Sequence, residues 1–281
     1  MLVDSKKILN NAQKNHYAVG HFNTSDLEIT KAIIMAANKL NSPVIIGTSE
    51  KAISYAGLEE LAGIVAAAAE KAKIPVVLHL DHGKSFEICQ KAIQVGYTSV
   101  MIDGSALSFE ENLKLTQKVV GYASRKNIPV EGELGSLIDK EKYQTDINQF
   151  MTDPDQAEEF VNKTGVSSLA VAIGNAHGIP WPEEKLDFSR LNQIRQKVQV
   201  PLVLHGASST PTLDIKKAIV LGITKINIDT DIRIAFNQSL RDFLTLHRDI
   251  FDPREILSST TIAVEKVVEE KIKLFGSDNK S

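Results

Sequence analysis

Residues 74–83 read IPVVLHLDHG, and the rest of the chain is organised around this stretch. The apolar run Ile74–Leu78 has the length and character of a buried strand, and it leads directly into His79, Asp81 and His82. A strand buried on both faces leaves a polar cluster at its C-terminal end no place except a pocket. In a barrel of parallel strands that end carries the chemistry. Taken alone, the cluster also reads as a packed core histidine beside an aspartate that caps a helix from Lys84 onward. The other strands separate the two readings.

Working outward, short apolar runs alternate with longer segments of helical period, the pattern of βα units around a parallel sheet. The expected strands are 17–22, 43–47, 74–78, 98–102, 128–134, 167–173, 200–204 and 223–228. Helices are expected after each, over 58–72, 86–95, 109–125, 154–163, 186–197, 211–221 and 232–247, with the first opened by Ser25 as N-cap. Asp153 and Gly165 bracket the helix at 154–163 as N-cap and C-terminal glycine. The second unit is the irregular one, because SEKAISYAG has no clear period. A further helix covers 255–275. No linker or shift in composition interrupts the series. The expected fold is therefore α/β: a single (β/α)8 TIM barrel over residues 1–281 with an additional C-terminal helix.

Composition narrows the function classes. The chain has 281 residues, 43% hydrophobic and 24% charged, with a formal net charge of −3. That balance offers no basic face for nucleic acid. No segment approaches the roughly 18–20 uncharged apolar residues that a membrane span requires. The opening MLVDSKKILNNAQ lacks an apolar signal-type core, so a cytoplasmic location is expected. The single cysteine, Cys89, excludes an internal disulfide and sits in KSFEICQKAI as a buried structural thiol on a helix.

Each expected strand has a polar residue at or just past its C-terminal end: Asn23, Ser49, Asp81 with His82, Asp103, Glu133, His177, His205, and Asn227 with Asp229. Loops are polar anyway, which explains Asn, Ser and Asp. It does not explain three of the seven histidines of the chain at such ends. His82, His177 and His205 are each followed by glycine, and three imidazoles with an open fourth position make a catalytic zinc site. HGASSTP after the seventh strand and KINIDTDIR after the eighth place small residues, hydroxyls and helix N-termini where barrels hold phosphate, with Thr230 as a donor and Arg233 as a cation. Helix caps by Ser209 or Thr210 and by Asp229 or Asp231 are the plainer reading of these two runs. His16 and His247 are expected in solvent, and His21 and His79 are expected to pack or to orient a rim residue.

HLDHG, VMIDGS, VEGELG, GNAHG, LHGASS and KINIDTD, in this order, resemble the class II zinc-dependent aldolases that act on fructose or tagatose bisphosphate. The resemblance runs from AVGHFN to FGSDNKS. It implies zinc held by His82, His177 and His205, with Asp81 as the acid/base and Glu133 and Asp103 holding the metal in an alternative position or lying near it. It implies a dihydroxyacetone-phosphate site and a monovalent cation, Na+ or K+, at Gly178, Gly206 and Ser208. It also implies substrate contacts at Asn227, Asp229 and Thr230, with weaker ones at Asn23 and Ser49. Arg254, at the start of the last helix, is expected among the substrate-binding residues and at a contact between subunits of a dimer or tetramer.

Two departures stand out. The family's loop after ELG contains GG followed by acidic residues, and a glutamate there exchanges a proton with the substrate's C1 carbon. Here the loop reads SLIDKEKYQTD, leaving Glu141 or Asp139 for that role, and Ser209 replaces a glycine. Asp229 followed four residues later by Arg233 matches the fructose branch, so fructose 1,6-bisphosphate is the expected substrate. Tagatose 1,6-bisphosphate or another ketose phosphate is the alternative. A metal-dependent hydrolase on the same barrel and a catalytically weakened sugar-phosphate binder are the rivals.

Overall fold

Four of the strands are preceded by proline, and that sets where they begin. Proline has no N–H to give to a ladder. In the computed structural model, which describes residues 1–136, 147–175, 185–208 and 210–281, β2 (Val44–Ser49), β3 (Val76–Gly83) and β5 (Val130–Leu134) start one residue after Pro43, Pro75 and Pro129. β7 (Leu202–Leu204) likewise follows Pro201. Their carbonyls are still used: those of Pro75, Pro129 and Pro201 accept from Val44, Val100 and Leu169 at 3.0–3.2 Å. The strand starts expected from apolar runs are therefore a residue or two early. With β1 (Val19–Asn23), β4 (Ser99–Ile102), β6 (Ser168–Val171) and β8 (Ile223–Ile228), these strands close a parallel barrel in sequence order, β8 returning to β1.

Helices cover the outside. They are α1 (Ser5–Lys14), α2 (Leu27–Lys39), α3 (Glu50–Ala56), α4 (Leu58–Glu70), α5 (Phe86–Gln94), α6 (Phe109–Ala123), α7 (Pro154–Thr164), α8 (Phe188–Lys197), α9 (Thr212–Val220), α10 (Thr230–Leu246) and α11 (Pro253–Phe275). The cap of α2 is Asp26, accepting from the Ile29 amide at 2.8 Å, and not Ser25. The irregular second unit is a helix, α3, capped by Ser49 and broken from α4 at Gly57. α10 begins two residues earlier than its periodicity suggests. Asp153 and Gly165 bracket α7 as expected. α11, the additional C-terminal helix, buries Val264, Val268, Ile272 and Phe275 along one stripe and packs against α2 and α10. Full burial of each such side chain is worth about 1.5–3 kcal/mol. α1 supplies Ile8, Leu9 and Ala12 to a small apolar cluster with Val19, Ile45 and Val77. No single described helix is long and apolar enough to cross a membrane.

The larger apolar core lies between strands and helices, while one layer inside the barrel is polar. His21, His79, Glu131 and Lys225 are 0–2% exposed. Glu131 on β5 reaches Lys225 on β8, and those strands are not neighbours, so this pair crosses the interior. Gly47 makes room for the layer: a Cβ there would stand 1.7 Å from His21 Nε2. Gly47→Ala is expected to destabilise the fold by about 1–3 kcal/mol through overpacking. Urea unfolding of both single variants and of the double variant with His21→Ala should give a favourable coupling of similar size; additive effects would mean that the ring moves aside freely.

Candidate active site

β3 carries two functional side chains in consecutive positions, which a regular strand would send to opposite faces. Asp81 points inward. His82 is brought to the rim by an irregularity: the β3–β4 register shifts between Leu80 and Gly83, and His82 takes a left-handed φ of 50°. A non-glycine residue held there costs about 1–3 kcal/mol, a strain that concentrates at functional sites. Gly83 has to be small, since a Cβ would lie 2.9 Å from the Met101 carbonyl oxygen.

The rim opens into a cavity of about 950 Å³. Asn23, Ser49, Asp81, His82, Asp103, Glu133, Gly206, Ser208, Asn227, Asp229, Thr230 and Arg233 all line it, so strand ends distant in sequence converge as expected. His205 lies beneath, 1% exposed. Arg254 is not part of the lining; its side chain is 89% exposed and paired with Asp252 at 2.6 Å. His177, Gly178, Glu141, Asp139 and Ser209 lie outside the described residues. His16 and His247 are exposed, and Cys89 is a buried free thiol pushed up to about 12 by burial.

On the cavity floor, one ligand atom from each of His82, Glu133 and His205 lies within 4.8 Å of the others. Glu133 Oε2 stands 3.4 Å from His82 Nδ1 and 3.7 Å from His205 Nδ1, and the two rings meet edge to face at 4.7 Å. Glu133 Oε2 and His205 Nδ1 are buried without a hydrogen-bond partner among the described residues. Buried polar atoms left so cost about 1–3 kcal/mol each. Two imidazole nitrogens and a carboxylate oxygen this close together are a donor set that a divalent cation takes up, and the orphaned Glu133 and His205 atoms fit one. Burial pushes the Glu133 carboxyl up, against the pull of His205 and His82.

Asp103 takes a different part. It accepts from His82 Nδ1 at 2.7 Å and from the Ser105 hydroxyl at 2.6 Å, and it pairs with Lys84. Burial works to raise its carboxyl, but the hydrogen bond and charge of His82, with the hydrogen bonds of Lys84 and Ser105, hold it well below the usual range. His82 is raised to about 9: burial works against its charge, and Asp81, Asp103 and Glu133 outweigh burial. Below that value the metal-free imidazole is protonated, so a cation has to displace its proton. Apparent metal affinity should therefore rise with pH, by up to about tenfold per unit for one proton displaced, and level off above about 9. Chelator competition at several pH values checks this, and a flat profile would remove His82 from the ligand set.

Asp81 is 5% exposed and receives two amides, Asn23 Nδ2 at 2.8 Å and Asn227 Nδ2 at 3.2 Å. Burial alone would raise it, yet His82, His21, His205 and Lys225 together hold it well below the usual carboxylate range. It is a fixed, ionised carboxylate at the cavity wall. Asn227 Oδ1 is buried without a hydrogen-bond partner among the described residues. Asp229 bonds Arg233 at 2.6 Å, and burial pushes its carboxyl up. Neither Pro211 nor Asp229 gives its helix a side-chain cap bond, so the caps weighed for Asp229 are not formed by its side chain.

The sequence reading missed several residues. Lys51 and Lys84 add two cations to the lining. Asn175 Nδ2 donates to the His205 carbonyl at 3.0 Å, tying the loop after β6 to the end of β7. Glu131 sits two residues before Glu133 on β5, and strand alternation in VEGEL was the signal that both face inward.

The comparisons with known proteins point to aldolases. The family model described as class-II fructose-bisphosphate aldolase matches residues 3–280. Fructose-bisphosphate aldolases of Staphylococcus aureus and Geobacillus stearothermophilus are each 42% identical over 283 residues, covering 100% of this chain and 99% of theirs. Among solved structures, the YdjI aldolase of Escherichia coli K12 superposes with a TM-score of 0.89 at 42% identity, covering 100% of this chain and 99% of its own. A putative fructose-1,6-biphosphate aldolase from Coccidioides immitis gives 0.89 at 32% identity, over 98% and 97%. A closed eight-stranded barrel, a carboxylate base beside a cluster that fits a divalent cation, and a family match over nearly the whole length converge on one conclusion: the chain belongs to the class-II fructose-bisphosphate aldolase family, metal-dependent lyases acting on sugar phosphates.

Proposed function

We propose that the chain is a zinc-dependent aldolase that reversibly cleaves fructose 1,6-bisphosphate into dihydroxyacetone phosphate and glyceraldehyde 3-phosphate, the glycolytic reaction. The observation that carries this reading is Asp81, held by two amides beside the His82, Glu133 and His205 cluster. His82 and His205, with His177 of the AHG motif, are the residues that would hold zinc, and a ligand set rich in imidazole suits that ion. A bound zinc ion supplies Lewis-acid polarisation of the ketose carbonyl.

The protein's own residues do the rest. Asp81 takes the proton of the C4 hydroxyl as the C3–C4 bond breaks and returns it in condensation. Asn227 lines the cavity and contacts the substrate from β8 while its amide holds Asp81. Gly206 and Ser208, in the loop between β7 and α9, and Thr230, the first residue of α10, receive the phosphate through backbone N–H groups, with Gly178 completing the site and a monovalent cation beside it. Gly206 has a φ of 65°, a conformation glycine adopts without strain. Asn23 and Ser49 contact the substrate from β1 and β2, and Arg233 supplies positive charge. Glu141 is the acid assigned to the C1 proton.

Support for fructose bisphosphate comes from Asp229 and Arg233, joined on the wall of the cavity, and from the names of the curated relatives. The 42% identity to the YdjI aldolase equals that to those relatives and favours keeping tagatose bisphosphate or another ketose phosphate as a second reading. Cleavage of fructose 1,6-bisphosphate that a chelator abolishes and borohydride leaves unchanged is the expected result. A higher kcat/KM for tagatose bisphosphate, measured side by side, would transfer the assignment. The proposal also includes a cytoplasmic homo-oligomer, a dimer or tetramer. Leu246 at the end of α10 and Phe251 in the connection to α11, 76% and 91% exposed, support a subunit contact there, next to Arg254 at the start of α11. Sedimentation showing only a monomer would sink that part.

A further inference from the structure

His205 has two ring nitrogens, and only one tautomer presents a lone pair to the cavity floor. Its Nε2 lies 3.1 Å from Glu131 Oε1. Lys225 Nζ holds that same oxygen at 3.0 Å and the second carboxylate oxygen at 2.9 Å, and the Ser168 hydroxyl lies 3.4 Å from the second. Side-chain exposure of Glu131, Lys225 and His205 is 2%, 1% and 2%, so no bulk water competes. We propose that Glu131 and Lys225 act as a positioning pair that fixes His205 in the Nε2–H tautomer, leaving the Nδ1 lone pair for a divalent cation.

The argument is one of donors and acceptors. A carboxylate saturated by an ammonium has acceptor capacity and no proton to give, so the hydrogen of the bond to His205 belongs to the imidazole. In the neutral ring the other nitrogen, Nδ1, is then bare, and it is the atom facing Glu133 Oε2 at 3.7 Å without a hydrogen-bond partner among the described residues. The same pairing sequesters Lys225. Its ammonium is fully enclosed, lies outside the cavity lining and cannot serve as an amine nucleophile. A lysine on β8 of a barrel aldolase would otherwise invite a Schiff-base reading; here it acts through Glu131 on the ring. Partners that fix a ligand histidine's tautomer typically contribute 10–100-fold to metal affinity.

This inference rests on reading His205 as a metal ligand, and the test separates the two. In metal-free, 15N-histidine-labelled protein, long-range proton–nitrogen correlation should show the neutral form of His205, assigned by its loss in His205→Asn, as the Nε2–H tautomer with a bare Nδ1. Glu131→Gln has one oxygen where two were used and an amide that donates, so it should shift the ring toward the Nδ1–H tautomer. It should also weaken zinc binding about 10–100-fold by competition with a chromophoric chelator. Lys225→Met should weaken zinc binding in the same direction, and serves where Glu131→Gln fails to fold. A neutral His205 ring carrying its proton on Nδ1 in the unsubstituted protein overturns the proposal without any variant, as does unchanged affinity in both. If His205→Asn binds zinc normally while the tautomer is as described, the ligand reading fails and the orientation of the ring by Glu131 stands.

Discussion

Asp81→Ala is expected to lower kcat for ketose bisphosphate cleavage by about 10²–10⁴-fold, the range for loss of a positioned general base, while metal content stays near normal. The reasoning starts from the two amides. Asn23 and Asn227 hold both oxygens of Asp81, and neither belongs to the cluster of His82, Glu133 and His205. Truncation frees two amides at the edge of a cavity where water can satisfy them, so the fold should persist. The loss corresponds to about 3–5 kcal/mol of transition-state stabilisation. Asp81→Asn keeps the shape without a basic oxygen pair and should show a comparable loss. Steady-state kinetics with metal analysis decides it. Near-normal turnover in either variant would take the proton-transfer role away from Asp81, and loss of metal in both would make it a structural support of the site.

His205→Ala should lower divalent-metal affinity more than about 100-fold, beyond the effect of losing a ligand's supporting partner, and abolish cleavage with it. His205 is the deepest of the cluster, and its bare nitrogen has no protein partner among the described residues. Glu131 and Lys225 remain paired in its absence, so an uncompensated buried charge does not follow. Metal content after dialysis, beside a thermal melt showing retained structure, is the measurement. His16→Ala, an exposed histidine, is the control expected to change neither. Full metal occupancy in His205→Ala would count against the whole ligand set.

The alternation of apolar runs with helical periods was enough to read eight strands and a closed barrel, and the polar residue at each strand end was enough to gather most of the site. What periodicity handled poorly were boundaries set by single atoms. Proline withholds an N–H, so four strands begin after it. Ser49 ends a strand and caps a helix at once, which hid α3 inside SEKAISYAG. Asn23 and Asn227 were read as substrate contacts; the structure shows that each first holds Asp81. Arg254, expected among the substrate-binding residues, points to solvent beside Asp252 in this chain.

By itself, then, the sequence determined which residues share the rim, because strand period and parallel connection put every C-terminal strand end on one side of the barrel. Only the tertiary structure decided how they act. That His82 leaves the strand with a left-handed backbone, that Glu131 reaches Lys225 through the barrel interior, and that Glu133 and His205 face each other with bare atoms are all contacts between residues remote in the chain. Hydrogen-bond direction, burial and charge are properties of such contacts, and local sequence carries no record of the distances that create them.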